Sequence, residues 1–267
     1  MVQPDSSDKN RNITTKFKYK KTTLIVTGGI VLGCAIALGW HFLGHSSVAF
    51  SQGISYLESQ EAQSTADLEK ELADKQRARM IEAVNSGEYS IFSLFRNSVI
   101  FGDSRIEGLE SYGFLPANEV LADIGSNIRS IPDHLEEVKA ARPQRIYFSY
   151  GVNDIESNVG GATGENGYGS VYEGLIDQVL EVSPDSQIIV CGILPVSQTA
   201  HDEHPEFAQI ADYNQQIREM CERRGWTYVD STDFANSQGP DIYATDGIHY
   251  IADFYPEWMR FLLLNEA

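Results

Sequence analysis

The chain has 267 residues and a formal net charge of −18, a length that suits one α/β domain plus a short extra element. Residues 1–21 hold six basic and two acidic residues, so the remainder carries −22. A surface that acidic repels nucleic acid and anionic lipid, which excludes a nucleic-acid-binding module. Three cysteines (Cys34, Cys191 and Cys221) are too few for a disulfide framework.

Residues 1–15 are polar and without apolar periodicity, the pattern of a disordered tail. A lysine-rich run, Lys16 to Lys21, leads into the apolar segment Thr22 to Leu43. As a helix that segment is about 33 Å long, enough to cross a bilayer. Lysines before it and acids after it predict a cytoplasmic N-terminus. Two alternatives carry some sequence support. Ser47-Val48-Ala49 resembles a signal-peptidase site, and Val31-Leu32-Gly33-Cys34 resembles a lipoprotein cleavage site. The apolar run is long for a signal core and continues past Cys34 to Trp40, so an uncleaved anchor is the expectation. Residues 44–95 read as a helical stalk or linker. Ser64 or Thr65 can cap a helix that runs through Val84, and Asn85-Ser86-Gly87 stops it. Its apolar positions are too irregular for a coiled coil.

From Ser98 onward strands and helices alternate. Strands are predicted at Ser98–Phe101, Val120–Asp123, Arg145–Tyr150, Gln187–Gly192 and Thr227–Val229. Helices are predicted at Ile106–Tyr112, Pro132–Ala141, Tyr168–Val182, Glu206–Arg224 and Ala252–Leu264. Pro132 suits a first helical turn, and Gly225 suits a helix end. Five short apolar strands separated by helices predict a flavodoxin-like five-stranded parallel sheet covered on both faces. Cys191 and Cys221 are expected as buried thiols, or as a pair if the fold brings them together.

Sites on such a sheet lie outside the carboxyl ends of the strands. Ser104 follows the first strand in Gly102-Asp103-Ser104. Gly125 follows the second, Asn153 follows the third in Gly151-Val152-Asn153-Asp154, and Asp246-Gly247-Ile248-His249 follows the fifth. These types suit acyl transfer. A serine hydroxyl needs a base, which His249 can provide near neutral pH. Asp246, three residues before, can hold the ring's tautomer. The oxyanion needs donors, which the N–H groups of Ser104 and Gly125 and the amide of Asn153 can supply. These four blocks, in this order, resemble the SGNH (GDSL-type) hydrolase family over about residues 98–265. The resemblance implies an SGNH fold for residues 96–267. It implies Ser104, Asp246 and His249 as catalytic residues, and Ser104, Gly125 and Asn153 as the oxyanion hole. No cofactor and no metal are expected.

Asp103 reads as a structural residue at a helix start. Arg105 reads as a solvent-facing side chain or an acyl or carboxylate ligand. His134 reads as a helix-surface residue. His201-Asp202-Glu203-His204 reads as a polar, solvated loop lining the cleft rather than a zinc site. The glycine-rich stretch 160–167 lacks the Lys-Ser or Lys-Thr ending of a phosphate loop and reads as a mobile loop beside the site. Tyr243, Tyr250, Phe254, Tyr255 and Trp258 are expected to pack the last helix, with one free to stack on a sugar. Three functions follow from the resemblance and the external address. The first is an extracytoplasmic serine esterase acting on acylated carbohydrate or a small ester, held at the cell membrane by its N-terminal helix. The second is a glycan O-acyltransferase fed by an acyl-donor partner in the membrane. The third is a glycan-binding module without turnover.

Overall fold

The structure is a computed structural model that describes residues 65–161 and 167–266. The expected tail, the apolar segment 22–43 and the first part of the expected stalk lie outside the described residues, as do residues 162–166 of the glycine-rich stretch. Among the described residues no helix is long and apolar enough to cross a membrane. The chain divides into two compact units between Ala78 and Arg79, and the second unit holds the whole sheet.

In chain order the elements are helix α1 (Thr65–Asn85), strand β1 (Ser98–Gly102), helix α2 (Ser104–Ser111), strand β2 (Val120–Ala122), helix α3 (Leu135–Ala141), strand β3 (Arg145–Ser149) and helix α4 (Val152–Glu156). Helix α5 (Tyr168–Val182), strand β4 (Gln187–Cys191), helix α6 (Gln198–Glu203), helix α7 (Ile210–Arg224), strand β5 (Thr227–Val229), helix α8 (Thr232–Ser237) and helix α9 (Phe254–Asn265) follow. All strand pairs are parallel, and the order across the sheet is β2-β1-β3-β4-β5. This is the flavodoxin-like order, with its switch point between β1 and β3.

Side chains alternate across a strand, and here the alternation builds two cores. Val99, Phe101, Ile146, Phe148, Ile188 and Val190 face one side, where α3, α5 and α7 cover them. Ile100, Tyr147 and Ile189 face the other, under α2, α9 and the short 3-10 helix Ile91–Phe95. Cys191 and Cys221 are buried free thiols, each in a different core.

The predicted strands and the longer helices are found with small shifts at their ends. Two predicted helices are divided. A 3-10 helix, Ile128–His134, precedes α3, because the Asn127 side chain caps the Arg129 N–H and starts the turn upstream of Pro132. A 3-10 helix, Pro205–Gln209, likewise precedes α7. The short helices α4, α6 and α8 escape sequence reading because one or two turns show no apolar period.

Candidate active site

The site is assembled at the carboxyl ends of the strands. β1 delivers Asp103, which is fully buried and caps α2 by accepting the Arg105 N–H at 2.9 Å. Ser104 is therefore the first residue of α2. Its Oγ lies 2.7 Å from Nε2 of His249, 145 residues away. The His249 turn is closed by Ala244 N–H to His249 O at 2.8 Å and Gly247 N–H to Ala244 O at 2.9 Å. Gly247 sits at φ +70°, and a β-carbon there would lie 2.0 Å from Ser197 Oγ, so glycine alone fits.

Inside that turn Asp246 makes three contacts with the imidazole segment. Oδ1 accepts the N–H groups of Ile248 and His249, both at 2.9 Å, and Oδ2 lies 2.6 Å from His249 Nδ1. Partial burial works to raise the Asp246 carboxyl. The two backbone N–H groups, the ring hydrogen bond and the imidazole charge outweigh it and hold the pKa below the ordinary value. An ionised Asp246 accepts a hydrogen bond from Nδ1–H, which leaves Nε2 to accept from the serine hydroxyl, the arrangement that general-base activation requires.

The other two blocks are joined to β1 by Ser126, a part that little in the local sequence announces. Its Oγ donates to Gly102 O at 3.1 Å, and its carbonyl accepts the Asn153 amide at 2.7 Å. Gly125, beside it, lies at φ +75° with open space where a β-carbon would point. One residue thus ties the second and third blocks to the end of β1. The only signal for it is a serine adjoining a glycine.

Several other side chains stand elsewhere than expected. Arg105 is neither solvent-facing nor open to ligands: it is 2% exposed and donates to Leu194 O at 2.9 Å. His134 is mostly covered, 3.1 Å from Asp123 Oδ2 and edge-on to Phe101. The stretch expected as a polar loop is largely helix α6, because Ser197 Oγ caps the Ala200 N–H from outside the stretch. His204 ends that helix, 3.8 Å from Glu156 and 3.4 Å from Glu206. Among the described residues these three could hold a metal ion, their ligand atoms lying within 4.8 Å of one another, but all three are partly exposed. By contrast, Tyr250, Phe254, Tyr255 and Trp258 are buried, as expected of residues that pack the last helix, while Tyr243 is half-buried.

Asp154, next to Asn153, is fully buried. Its Oδ1 accepts the Ile128 N–H at 3.0 Å, and Oδ2 has no partner. Burial pushes its pKa up to about 7; the Ile128 N–H opposes this, and the Asp103 charge adds to it. The folded state therefore holds a proton that the unfolded chain releases near 3.8. The stability this contributes is complete below the unfolded value and is lost as pH rises through about 7. Asp154→Asn, which keeps an acceptor but cannot ionise, is expected to flatten the melting-temperature profile between pH 5 and pH 8. The parent should fall by roughly 5–10 °C more than the variant over that range. Parallel profiles would show that Asp154 does not titrate there.

A family model described as GDSL-like lipase/acylhydrolase matches residues 100–255. No curated protein matches the chain. Among solved structures, the chain is similar to the lipase/acylhydrolase from Enterococcus faecalis, with 14% identity over 62% of this chain and 93% of that one and a TM-score of 0.46. It is also similar to an acetylxylan esterase from Geobacillus stearothermophilus, with 17% identity over 64% of this chain and 93% of that one and a TM-score of 0.46.

Proposed function

The chain belongs to the GDSL-like lipase/acylhydrolase family, and on that premise we propose that it is a serine esterase removing short acyl groups, acetyl above all, from hydroxyl esters of glycans. The observation that carries this reading is the hydrogen-bonded series from Ser104 Oγ through the His249 ring to Asp246, at 2.7 and 2.6 Å.

In this scheme Ser104 Oγ attacks the ester carbonyl while His249 Nε2 takes its proton. The carbonyl electrons move onto oxygen. The N–H groups of Ser104 and Gly125 and the Asn153 amide stabilise that oxyanion. An amide nitrogen carries two hydrogens, and Asn153 commits one to Ser126, so the second serves the oxyanion. Collapse expels the alcohol, which takes the proton back from Nε2. Water, deprotonated by the same nitrogen, then attacks the acyl-enzyme. The second tetrahedral intermediate collapses, Ser104 Oγ takes the proton from Nε2, and the carboxylic acid leaves and ionises in solution. Asp246 stays ionised throughout and stabilises the imidazolium.

The address is part of the proposal. The apolar segment 22–43 anchors the chain, with the esterase domain outside the cytoplasm. What supports this is the lysine-rich flank before the segment and the acidic chain after it. The test of the acyl preference is a series of p-nitrophenyl esters from two to twelve carbons, given to the full chain. Fastest turnover is expected at two to four carbons; a maximum at eight or more would contradict the short-acyl reading.

A further inference from the structure

Arg105 is a buried arginine beside the nucleophile, and the bonds around it have a direction. Its Nη1 donates to Leu194 O at 2.9 Å, its Nε stands 3.8 Å from Asp103 Oδ1, and its own carbonyl accepts the Tyr255 hydroxyl at 2.6 Å. Leu194 lies in the segment Ile193 to Ser197, just past the end of β4. That segment is fastened at its start by Asn214, whose side chain accepts from Ile193 N–H at 2.6 Å and donates to Ile193 O at 3.2 Å. Its far end is fastened to the histidine turn. Tyr250 OH donates to Pro195 O at 2.6 Å, and Ser197 N–H donates to Gly247 O at 2.7 Å. Tyr250 directly follows His249, and Gly247 precedes it by two.

The segment is therefore a strap. One side holds the residue after Ser104; the other holds the residues on either side of His249. We infer that Arg105 is a positioning residue, which sets the separation of Ser104 Oγ and His249 Nε2 through Leu194 and this strap. The inference rests on the esterase reading above. A guanidinium is suited to the place. Its charge strengthens a bond to a neutral carbonyl, and its rigid fork fixes the direction of that bond. Burying it is costly, so a residue kept only for packing would be better apolar. A displacement of about 1 Å in a proton-transfer pair can cost on the order of 100-fold in turnover.

The test measures kcat and KM on a short ester with the full chain, at least ten degrees below each variant's melting temperature. Arg105→Met is expected to lower kcat roughly 30- to 100-fold while KM stays within about threefold. Arg105→Lys, whose ammonium can still donate to Leu194 O, is expected to recover at least about fivefold of that loss. Tyr250→Phe loosens the strap from its other side and removes only one oxygen. It is expected to lower kcat about 5- to 10-fold, and to add less than its own factor on top of Arg105→Met. If Arg105→Met does not fold, Arg105→Lys and Tyr250→Phe carry the test. The inference is overturned if Arg105→Met or Tyr250→Phe keeps kcat within threefold of the parent, if the loss falls on KM, or if the two effects multiply. A parent without Ser104-dependent hydrolysis sinks the esterase reading as well. A parent with it, but indifferent to Arg105 and Tyr250, overturns this inference alone.

Discussion

Ser104→Ala is expected to lower ester hydrolysis by on the order of 10,000-fold or more, and His249→Ala by a similar factor. The double variant should be hardly worse than either, because nucleophile and base act as one unit. The expectation follows from the 2.7 Å contact between Oγ and Nε2. Without the ring the hydroxyl keeps its proton, and without the hydroxyl the ring has nothing to activate but water. Asp246→Asn should cost less than His249→Ala, though still up to about 10,000-fold, because Asp246 acts through the ring and an amide facing Nδ1 favours the wrong tautomer. Binding should survive in all of these variants, so KM should move little. Steady-state rates with a short ester check each step of this ordering. Equal losses for Asp246→Asn and His249→Ala would show that the carboxylate does more than orient the base.

Gly102→Ala is expected to damage both stability and activity. A β-carbon on Gly102 would lie 2.4 Å from the Ile106 β-carbon, 2.2 Å from its Cγ1 and 2.9 Å from Ser149 O. None of these is the free end of a flexible side chain. β1 and α2 must part, or β1 must shift against β3. Such overpacking costs roughly 1–3 kcal/mol, which in a domain of this size lowers the melting temperature by roughly 2–10 °C. Ser104 is two residues away, so kcat should fall by on the order of 100-fold as the nucleophile moves. Gly174→Ala is the control. Gly174 is exposed on α5 with open space around a β-carbon, so alanine should stabilise slightly and leave kcat unchanged. Thermal melts and rates on the two variants check this directly. A Gly102→Ala variant as stable as the parent would mean that α2 can shift without cost.

The difference between these two glycines is not visible in the sequence, and it marks where local pattern stops being informative. The strands are legible because each is a short apolar run closed by a polar residue or glycine. The positions of Ser104 and Asn153 then come with them, since strand ends on a parallel sheet share one edge. His249, by comparison, lies 20 residues past the end of β5 and is placed by the bonds of its turn to Pro195 and Ser197. Asp103 is legible as a helix cap because capping is local. What escapes depends on partners far along the chain. Arg105 is buried because Leu194 and Tyr255 reach it from 89 and 150 residues away. Asp154 is buried because the backbone of Ile128, 26 residues earlier, comes to it. The stretch ending in His204 is mostly helical because Ser197 caps it while being held to Gly247. Local pattern locates the groups proposed to react; long-range contacts hold them in place.

The central claim is that Ser104 is a nucleophile activated by His249. The most direct measurement is intact-mass and peptide mass spectrometry of the folded full chain after treatment with a serine-directed fluorophosphonate. The account predicts one adduct per chain, located on Ser104, absent in Ser104→Ala and at least about 100-fold slower to form in His249→Ala. A folded parent that takes no label, or a label that persists in Ser104→Ala, would contradict it.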